Sequence, residues 1–336
     1  MSIHVQPLDT ADEAQVRAAW EVGREAAAER RYQTFLAWQA YRAYTGQQRP
    51  DVTEVHVIAT LDGELAGAGL VHAPLLDNTD LVYVDVNVRP THRRRGVGTA
   101  LLEWMTAWAL EQGRTVLTSE AYAPVDGDSP GTLFAARHGF VVDLEDGSKV
   151  ADLQATKDTW AALAAETAPH HADYRLVTAW DPLPDELVDG YCTLQNRFYE
   201  LAPSGDLQRE PEVWDHARLR SMEERAARAG RVDVRTFALT ADGEVAAMTE
   251  LLLNTTEAHR AMQGGTIVLP EHRGHRLGLA LKVANHQALL ARFPDVEWIT
   301  TANADVNAHM NAINDRLRFR VVERCIELTR PVRPAS

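Results

Sequence analysis

The stretch VRPTHRRRGVGTALLEWM, from Val88 to Met105, decides how this chain folds. It joins an apolar strand end to a loop with three arginines and two glycines, and then to an amphipathic helix. The N–H groups at a helix N-terminus have no intrahelical acceptor, and the helix dipole favours an anion there. Glycines let the backbone approach a ligand closely, and arginines donate to phosphate oxygens. The stretch therefore predicts a phosphate-binding strand, loop and helix.

A second copy of this pattern occurs 180 residues later, as VLPEHRGHRLGLALKVAN from Val268 to Asn285. The repeat extends beyond the loop, because the turn Asp62-Gly63-Glu64 falls on a second Asp-Gly-Glu turn at residues 242–244. Each turn lies between two apolar runs, which is the pattern of a β-hairpin. The chain is therefore predicted to contain two similar domains in tandem.

The predicted fold class is α/β in the α+β sense, with a mixed, mostly antiparallel sheet flanked by helices in each domain. We place the N-terminal domain at residues 1–150, a linker helix at 151–172 and the C-terminal domain at 173–336. The last strand of the first domain is expected to end near Val142, and that of the second near Leu328.

Composition and charge limit the classes of function. The chain has 336 residues, an apolar fraction of 45% and a formal net charge of −14, and it contains no run of 18 apolar residues. We therefore expect a cytoplasmic, soluble protein that binds neither nucleic acid nor membrane, and an acidic surface that attracts a cationic acceptor. Cys192 and Cys325 have no metal-ligand spacing, and His170-His171 is expected to be a solvated loop, so no metal site is predicted.

The loop lacks the G-x-G-x-x-G fingerprint of dinucleotide-binding folds and the G-K-[ST] ending of a P-loop. Residues 93–98, RRRGVG, instead resemble motif A of the GNAT acyltransferases, [R/Q]-x-x-G-x-[G/A]. Residues 273–278, RGHRLG, are similar, with Arg276 in place of the first glycine. The resemblance covers nearly the whole chain twice, so the protein resembles a tandem GNAT protein.

This resemblance implies acetyl-CoA, or another acyl-CoA, as co-substrate. The loop amides would bind its pyrophosphate, and the preceding strand would pair with its pantetheine arm. The predicted cofactor-binding residues of the first half are Val86, Val88, Arg93, Arg94, Arg95, Gly96, Val97, Gly98 and Thr99. Those of the second half are Val268, Arg273, Gly274, His275, Arg276, Leu277, Gly278, Asn303 and Asn307.

A later element of the family, N-x-x-A-x-x-L-Y-x-x-x-G-F, is only partly kept. The resemblance implies that its Asn contacts the cofactor and that its Tyr protonates the departing thiolate. The Asn position holds Asp128 in the first half and Asn307 in the second, and the Tyr position holds Ala135 and Asn314. Asn307 has a simpler alternative role as a helix cap.

Four residues are candidates for the chemistry of acyl transfer. Asp85 lies on the polar side of an otherwise apolar strand, so it is either a general base or an anchor for the acceptor, or it simply bonds a neighbouring loop. Tyr83 shares its face and is a candidate proton donor. Glu120 follows the next strand, and Glu250 is the alternative base in the second half. Amides near Val86 or Val88 are candidate donors to the oxyanion.

Two hypotheses of function follow. The first is an acetyl-CoA-dependent N-acyltransferase that acts on an amine of a small molecule or peptide by direct attack on the thioester. One domain would be catalytic, with preference for the first, and the other degenerate or structural. The alternative is a non-catalytic protein that senses acyl-CoA, favoured by the missing tyrosines. A small-molecule amine partner and a monomer or homodimer are expected.

Overall fold

The chain divides into two compact units. The computed structural model describes residues 1–201, 210, 212–304 and 307–332. Unit 1 contains residues 1–145, 210 and 325–332, and unit 2 contains residues 146–201, 212–304 and 307–324. Among these residues, no helix is long and apolar enough to cross a membrane.

The elements follow one another in a pattern that is repeated along the chain. The first series is β1 Ile3–Pro7, α1 Glu13–Ala27, α2 Trp38–Tyr44, β2 Val52–Leu61, β3 Glu64–Pro74, β4 Leu81–Val88, α3 Val97–Glu111, β5 Val116–Ala123, α4 Pro130–Arg137 and β6 Val141–Asp152. The second series is α5 Leu153–Thr156, α6 Trp160–Thr167, β7 Arg175–Trp180, α7 Asp185–Asn196, α8 Phe198–Leu201, α9 His216–Arg228, β8 Arg231–Leu239, β9 Val245–Asn254, β10 Arg260–Val268, α10 Leu277–Arg292, β11 Trp298–Ala304, α11 Ala308–Arg316 and β12 Arg320–Pro331.

In unit 1 the strand order is β1-β2-β3-β4-β5 followed by the end of β12. Only β4 and β5 are parallel among the pairs from β1 to β5. The apolar face of β4, with Val82 and Val84, packs against Val97, Leu101 and other residues of α3. Helices α1 and α2 cover part of the opposite face around Ile58 and Ala68. The sheet therefore lies between α3 on one side and α1 and α2 on the other.

In unit 2 the order is β7-β8-β9-β10-β11 followed by the end of β6. Strands β10 and β11 are parallel, and the other pairs are antiparallel. Helix α10 packs on one face of this sheet through Leu279 and Val283, while α7 and α9 pack on the other around Phe237. The predicted class is confirmed in both units, because the strands of each pair in a mixed and mostly antiparallel order and are flanked by helices.

Local chemistry explains the main boundaries. Asp62 and Gly63 both have positive φ, 51° and 91°, as a tight two-residue hairpin turn requires. Helix α1 begins after Asp12, whose side chain accepts from the N–H groups of Ala14 and Gln15. Helix α4 begins with a capping box between Ser129 and Thr132. The sequence therefore fixes the turns and the helix starts locally.

The strand that was expected to end near Val142 is longer than predicted. β6 continues to Asp152, and residues 146–152 pair with β11 of unit 2, with Asp152 opposite Trp298. The last strand behaves likewise, because the N–H of Val332 donates to the carbonyl of Thr115 in unit 1 at 2.7 Å. The sheet of each unit is thus completed by the final strand of the other half of the sequence. The predicted boundaries at residues 150 and 173 do not take this exchange of strands into account. A pairing of this kind leaves no local signal in the sequence.

Candidate active site

Both arginine and glycine loops adopt the same backbone conformation. In unit 1 the two residues with positive φ are Arg94 (64°) and Gly96 (85°), and in unit 2 they are Gly274 (88°) and Arg276 (53°). Each loop therefore has two left-handed positions, occupied by one glycine and one arginine in opposite order. Arg276, the departure from the motif, takes the conformation of the glycine that it replaces.

The N-terminus of α3 is the anion-binding candidate of unit 1. Gly96 is the N-cap of α3, and no side chain caps the helix, so the amides of Val97, Gly98 and Thr99 have no intrahelical acceptor. A Cβ on Gly98 would lie 3.2 Å from Phe134 of α4. The glycine is therefore needed for the close packing of α4 against the loop, as well as for approach to a ligand. Thr99 Oγ1 lies 3.2 Å from His138 Nε2.

The three arginines of this loop have different partners. Arg93 forms an ion pair with Glu29 at 2.7 Å and donates from Nε to the carbonyl of Val88 at 3.4 Å, so it braces the loop. Arg95 lies 3.7 Å from Asp62, and both Arg94 and Arg95 are exposed. These two side chains are thus the ones placed to meet an incoming anion.

The loop of unit 2 is built similarly, but its N-cap residue has a side chain with a carboxylate partner. Arg273 donates to the carbonyl of Val268 at 3.4 Å, as Arg93 does to Val88 in unit 1. His275 lies 3.2 Å from the carbonyl of His170, and the N-cap residue Arg276 pairs with Glu166 at 2.7 Å. At the start of α10, Leu277 and Gly278 are buried, and a Cβ on Gly278 would lie 2.9 Å from Ile313.

Strands β4 and β5 separate next to the loop of unit 1. Their parallel pairing ends at Tyr83 and Thr118, although β4 continues to Val88 and β5 to Ala123. The carbonyl of Val84 faces β5, because the hydroxyl of Ser119 donates to it at 2.8 Å. Backbone groups alternate along a strand, so the amides of Val86 and Val88 face the same side, where β5 no longer pairs. A groove between the strand ends therefore leads to the N-terminus of α3.

The predicted catalytic residues lie on the face of β4 and β5 that is turned away from α3. Tyr83, Asp85 and Asn87 alternate along β4, and Glu120 follows Thr118, the partner of Tyr83, by two residues on β5. We call the sheet surface with Tyr83, Asp85 and Glu120 the acidic face. Tyr83 is 36% exposed and Glu120 is exposed, although both belong to inner strands. Inner strands of such a sheet are normally covered on both faces, so this opening marks a site.

The acidic face perturbs the acidities of its own groups. Burial raises the pKa of Asp85, and the charge of Glu120 raises it further, against hydrogen bonds from Asn87 and the Val86 amide. Asn87 Nδ2 donates to Asp85 Oδ2 at 2.8 Å. The pKa of Tyr83 is raised well above its usual value, first by burial and then by Asp85 and Glu120. Tyr83 therefore keeps its proton at neutral pH.

Sequence reasoning missed several members of this face. Tyr41 of α2 lies against His56, and burial followed by the charge of Asp85 raises the pKa of Tyr41 to about 12. The guanidinium of Arg30 lies 3.4 Å from the ring centroid of Tyr122. On β2 and β3, Glu54 bonds His72 at 3.0 Å. Polar residues at alternate positions of apolar strands could have indicated these members of the face. Which of them lie next to one another depends on the strand register, which the sequence does not show.

The carboxylates of the matching surface in unit 2 are paired with a buried arginine. Glu250 Oε2 lies 3.1 Å from Nε of Arg235, a residue only 1% exposed that also pairs with Asp181 and Asp233. The other oxygen of Glu250 accepts from the amide of Gly265 at 3.4 Å, within a β-bulge of β10. A carboxylate that is paired with a buried arginine is a poor proton acceptor, because its protonation would remove the negative partner of the arginine.

Asn303 and Asn307 have intramolecular partners in unit 2. Asn307 caps α11 by accepting from the N–H of Met310 at 3.2 Å. Asn303 accepts from Lys149 at 3.1 Å and from Asn314 at 2.8 Å, and Asn314 in turn accepts from the buried Lys282 at 2.8 Å. Asn314, which occupies the Tyr position of the family element, thus belongs to a polar network inside unit 2.

Comparison with known proteins agrees with this geometry. Residues 17–140 match the model of the acetyltransferase (GNAT) family. Residues 17–140 therefore form a GNAT acetyltransferase domain. This confirms the predicted family and enzyme class, and acyl transfer from acyl-CoA, with acetyl-CoA as co-substrate and an amine as acceptor, is the chemistry of that family. No curated protein matches this chain.

Solved structures match the whole chain. A tandem GNAT protein from the clavulanic acid biosynthesis pathway is 25% identical, with all of both chains covered and a TM-score of 0.81. A GCN5-related N-acetyltransferase from Sphaerobacter thermophilus is 16% identical over 99% of this chain and 97% of its own, with a TM-score of 0.63. A fungal GCN5-related glucosamine N-acetyltransferase region is 14% identical over 97% of this chain and 38% of its own, with a TM-score of 0.64. The tandem arrangement predicted from the repeat is therefore confirmed.

Proposed function

We propose that this GNAT acetyltransferase moves an acetyl group from acetyl-CoA to an amine of a small molecule or peptide in unit 1, by direct attack on the thioester. Unit 2 is a related copy without catalytic activity. A small-molecule acceptor, a cytoplasmic location and a monomeric or homodimeric state stay predictions.

The difference between the two carboxylate sites carries this proposal. In unit 1, Asp85 and Glu120 lie on an open face; burial raises the pKa of Asp85, and the charge of Glu120 raises it further. In unit 2, Glu250 is bound to the buried Arg235. A cationic amine is therefore attracted to carboxylates on the open face of unit 1, whereas Glu250 already has a cationic partner. The acidic face is therefore where the acceptor binds.

Residues of unit 1 take the following roles. The amides of Val97, Gly98 and Thr99, with Arg94 and Arg95, bind the pyrophosphate of the co-substrate, while Arg93 and Gly96 shape the loop. Val88 presents its amide to the acyl oxygen, which becomes negatively charged during attack, while Val86 lies along the pantetheine arm and its amide holds Asp85. Asp85 and Glu120 anchor the ammonium group, and Tyr83 donates its proton toward the departing thiolate.

The loop of unit 2 keeps the same backbone geometry, but Arg276 is paired with Glu166. A phosphate would compete with this carboxylate, so residues 273–278 bind phosphate weakly or not at all. Asn303 and Asn307 hold the local structure of unit 2. Glu250 acts there as a partner of Arg235, so it is no longer our candidate for a base.

A glutamate placed at the same position of each loop tests the assignment. Arg94 and Gly274 occupy the same left-handed position and both are exposed; a Cβ on Gly274 meets nothing within 4 Å, although its φ of 88° strains any side chain. We expect Arg94→Glu to raise the Kd for acetyl-CoA more than tenfold, as measured by calorimetry, because it places a negative charge beside the pyrophosphate. Gly274→Glu should leave the Kd within about twofold.

Thiol release with an amine panel of benzylamine, tyramine and spermidine gives the second readout. Acetyl-CoA binding without thiol release on any amine would favour the sensing alternative. Loss of binding in Gly274→Glu alone would move the site to unit 2 and refute the assignment.

A further inference from the structure

Glu54, His72 and Tyr83 form a row across three adjacent strands of unit 1. Glu54 of β2 is opposite His72 of β3, and His72 is opposite Tyr83 of β4. His72 Nδ1 lies 3.0 Å from Glu54 Oε1, and Arg49 Nη1 lies 3.4 Å from the same oxygen. Residues opposite one another in antiparallel strands have Cβ atoms about 5 Å apart, so His72 and Tyr83 occupy adjacent positions on the same face of the sheet. The row continues the acidic face into β2 and β3.

The partners of His72 determine which ring nitrogen is available. Although burial alone would raise it, the pKa of Glu54 is lowered by the hydrogen bond and charge of His72 and by Arg49, so Glu54 stays ionised. An ionised carboxylate only accepts hydrogen bonds, and Nδ1 must therefore carry a proton. In the neutral ring the lone pair is then on Nε2. Among the described residues, no side chain or backbone group bonds Nε2, and the His72 side chain is 34% exposed.

We propose that His72 Nε2 is the general base of unit 1, oriented by Glu54, an inference that rests on the proposed function of this unit. Nε2 takes one proton from the ammonium group of the acceptor. The nitrogen lone pair then attacks the thioester carbonyl, the C–N bond forms and the C–S bond breaks. The second proton of the amine compensates the thiolate, with Tyr83 as its relay, and His72 returns its proton to solvent. The sum is one ammonium and one thioester converted to one amide, one thiol and one proton.

Asp85 fits the role of anchor better than that of base. Although burial raises its pKa, its carboxylate already accepts hydrogen bonds from Asn87 and from the Val86 amide, so part of its capacity to accept a proton from a ligand is engaged within β4. His72 in contrast combines an accessible lone pair with a carboxylate that fixes the orientation of its ring, the arrangement that orients catalytic histidines in other enzymes.

The other charged groups around His72 are consistent with this assignment. Arg49, just before β2, pairs with Asp51 and with Glu54 of β2, His56 lies in the next row, and Asp85 and Glu120 follow on β4 and β5. From the covering helices, Tyr41 lies against His56, while Glu21 and Glu25 of α1 pair with Arg17 and Arg89, and Glu29, just after α1, pairs with Arg93.

Unit 2 lacks this row. Its registers place Asp233 opposite Leu252, and Leu252 opposite Met262. The imidazole and the phenol are thus replaced by Leu252 and Met262, and the remaining carboxylate is paired with Arg231 and Arg235. Unit 2 thus lacks the row, and its carboxylates are paired with arginines. Both differences agree with a catalytic role for the row in unit 1.

The test compares His72→Gln with His4→Gln, which removes an exposed imidazole from β1. Benzylamine, charged at neutral pH, needs a proton acceptor before attack, whereas hydroxylamine is largely uncharged. We expect His72→Gln to lower kcat/KM for benzylamine at pH 7 by about 100-fold, in the range typical of general-base catalysis. The loss should shrink as the pH rises toward 9, and hydroxylamine turnover should stay within about threefold. His4→Gln should match the wild type.

Glu54→Gln separates positioning from packing. It should lower benzylamine turnover by about tenfold, and the double variant Glu54→Gln/His72→Gln should be no slower than His72→Gln alone, because both residues act through one proton transfer. Additive losses, equal losses for the two nucleophiles or an unchanged benzylamine profile would each overturn the dyad. If the wild-type protein neither binds acetyl-CoA nor releases thiol with hydroxylamine or any amine of the panel, the proposed function fails instead.

Discussion

Gly96 and Arg276 show how one residue position tolerates two different side chains. Both cap the helix that follows the phosphate loop, and both have positive φ. This region disfavours residues with a Cβ by about 1–2 kcal/mol. Arg276 compensates only through an ion pair with Glu166 in which both side chains are at least 40% exposed, and such pairs contribute little. The second loop is therefore strained where the first is relaxed.

Arg276→Gly should raise the free energy of unfolding by about 1 kcal/mol, because glycine adopts this conformation without steric cost. Arg276→Ala removes the same ion pair but keeps the Cβ, so it should not stabilise the protein. Urea unfolding of the two variants measures the difference. Equal midpoints would show that the ion pair, and not the backbone, decides the stability of the loop.

At the scale of elements, α10 buries an amine in the core of unit 2. Lys282 is 1% exposed and bonds Asn314 of α11. Burial, followed by the charge of Lys149, lowers the pKa of Lys282 to about 7. The next turn holds His286, whose pKa burial lowers to about 3 and whose ring nitrogens have no partner among the described residues. The helix thus carries two polar groups whose charged forms are disfavoured by burial.

The stability of unit 2 should consequently rise with pH between 7 and 9. Below about 7 the lysine is charged in both states, while above 7 the unfolded chain binds a proton that the folded chain has lost. The gain is up to about 1.4 kcal/mol per pH unit. Calorimetric melting temperatures at pH 7, 8 and 9 should lose most of this slope in Lys282→Met. Lys157→Met, at an exposed position, should retain it; the same slope in both variants would contradict the assignment.

At the scale of the molecule, unit 1 depends on the C-terminal end of the chain. Ile326, Leu328 and Val332 belong to its hydrophobic core, together with residues of β4 and α3. Arg330 donates to the carbonyl of His138 at 3.1 Å and lies over the ring of Phe140 at 5.0 Å. Without this strand, β5 would become an unpaired edge, which promotes aggregation.

A chain truncated after Arg324 should therefore lose acetyl-CoA binding, although the whole of residues 1–145, with the phosphate loop, is retained. Gel filtration and calorimetry on the truncated protein measure aggregation and binding. A milder change, Arg330→Ala, should lower the free energy of unfolding by about 1–3 kcal/mol through the unpaired carbonyl and lost packing. A monomeric truncated protein with wild-type affinity would show that the unit is complete without the strand.

The sequence alone predicted much of the fold. The phosphate loops, the hairpin turns and the helices after the loops are specified by local features: glycine at left-handed positions, alternating apolar residues and residues that cap helices. The repeat then supplied the tandem arrangement. The polar side of β4, with Tyr83 and Asp85, was also readable, because the faces of a strand alternate with a period of two.

Other properties were decided by the tertiary structure. The pairing of His72 with Glu54 and Tyr83 depends on the register of three strands. Neutralisation of Glu250 depends on Arg235 of the neighbouring strand, and completion of unit 1 depends on residues more than 200 positions away from Thr115. Sequence patterns report the conformation of a segment and the face that it buries, since these follow from neighbouring residues. Which segments then meet is set by long-range pairing, and this pairing determines the charges and proton acceptors of the site.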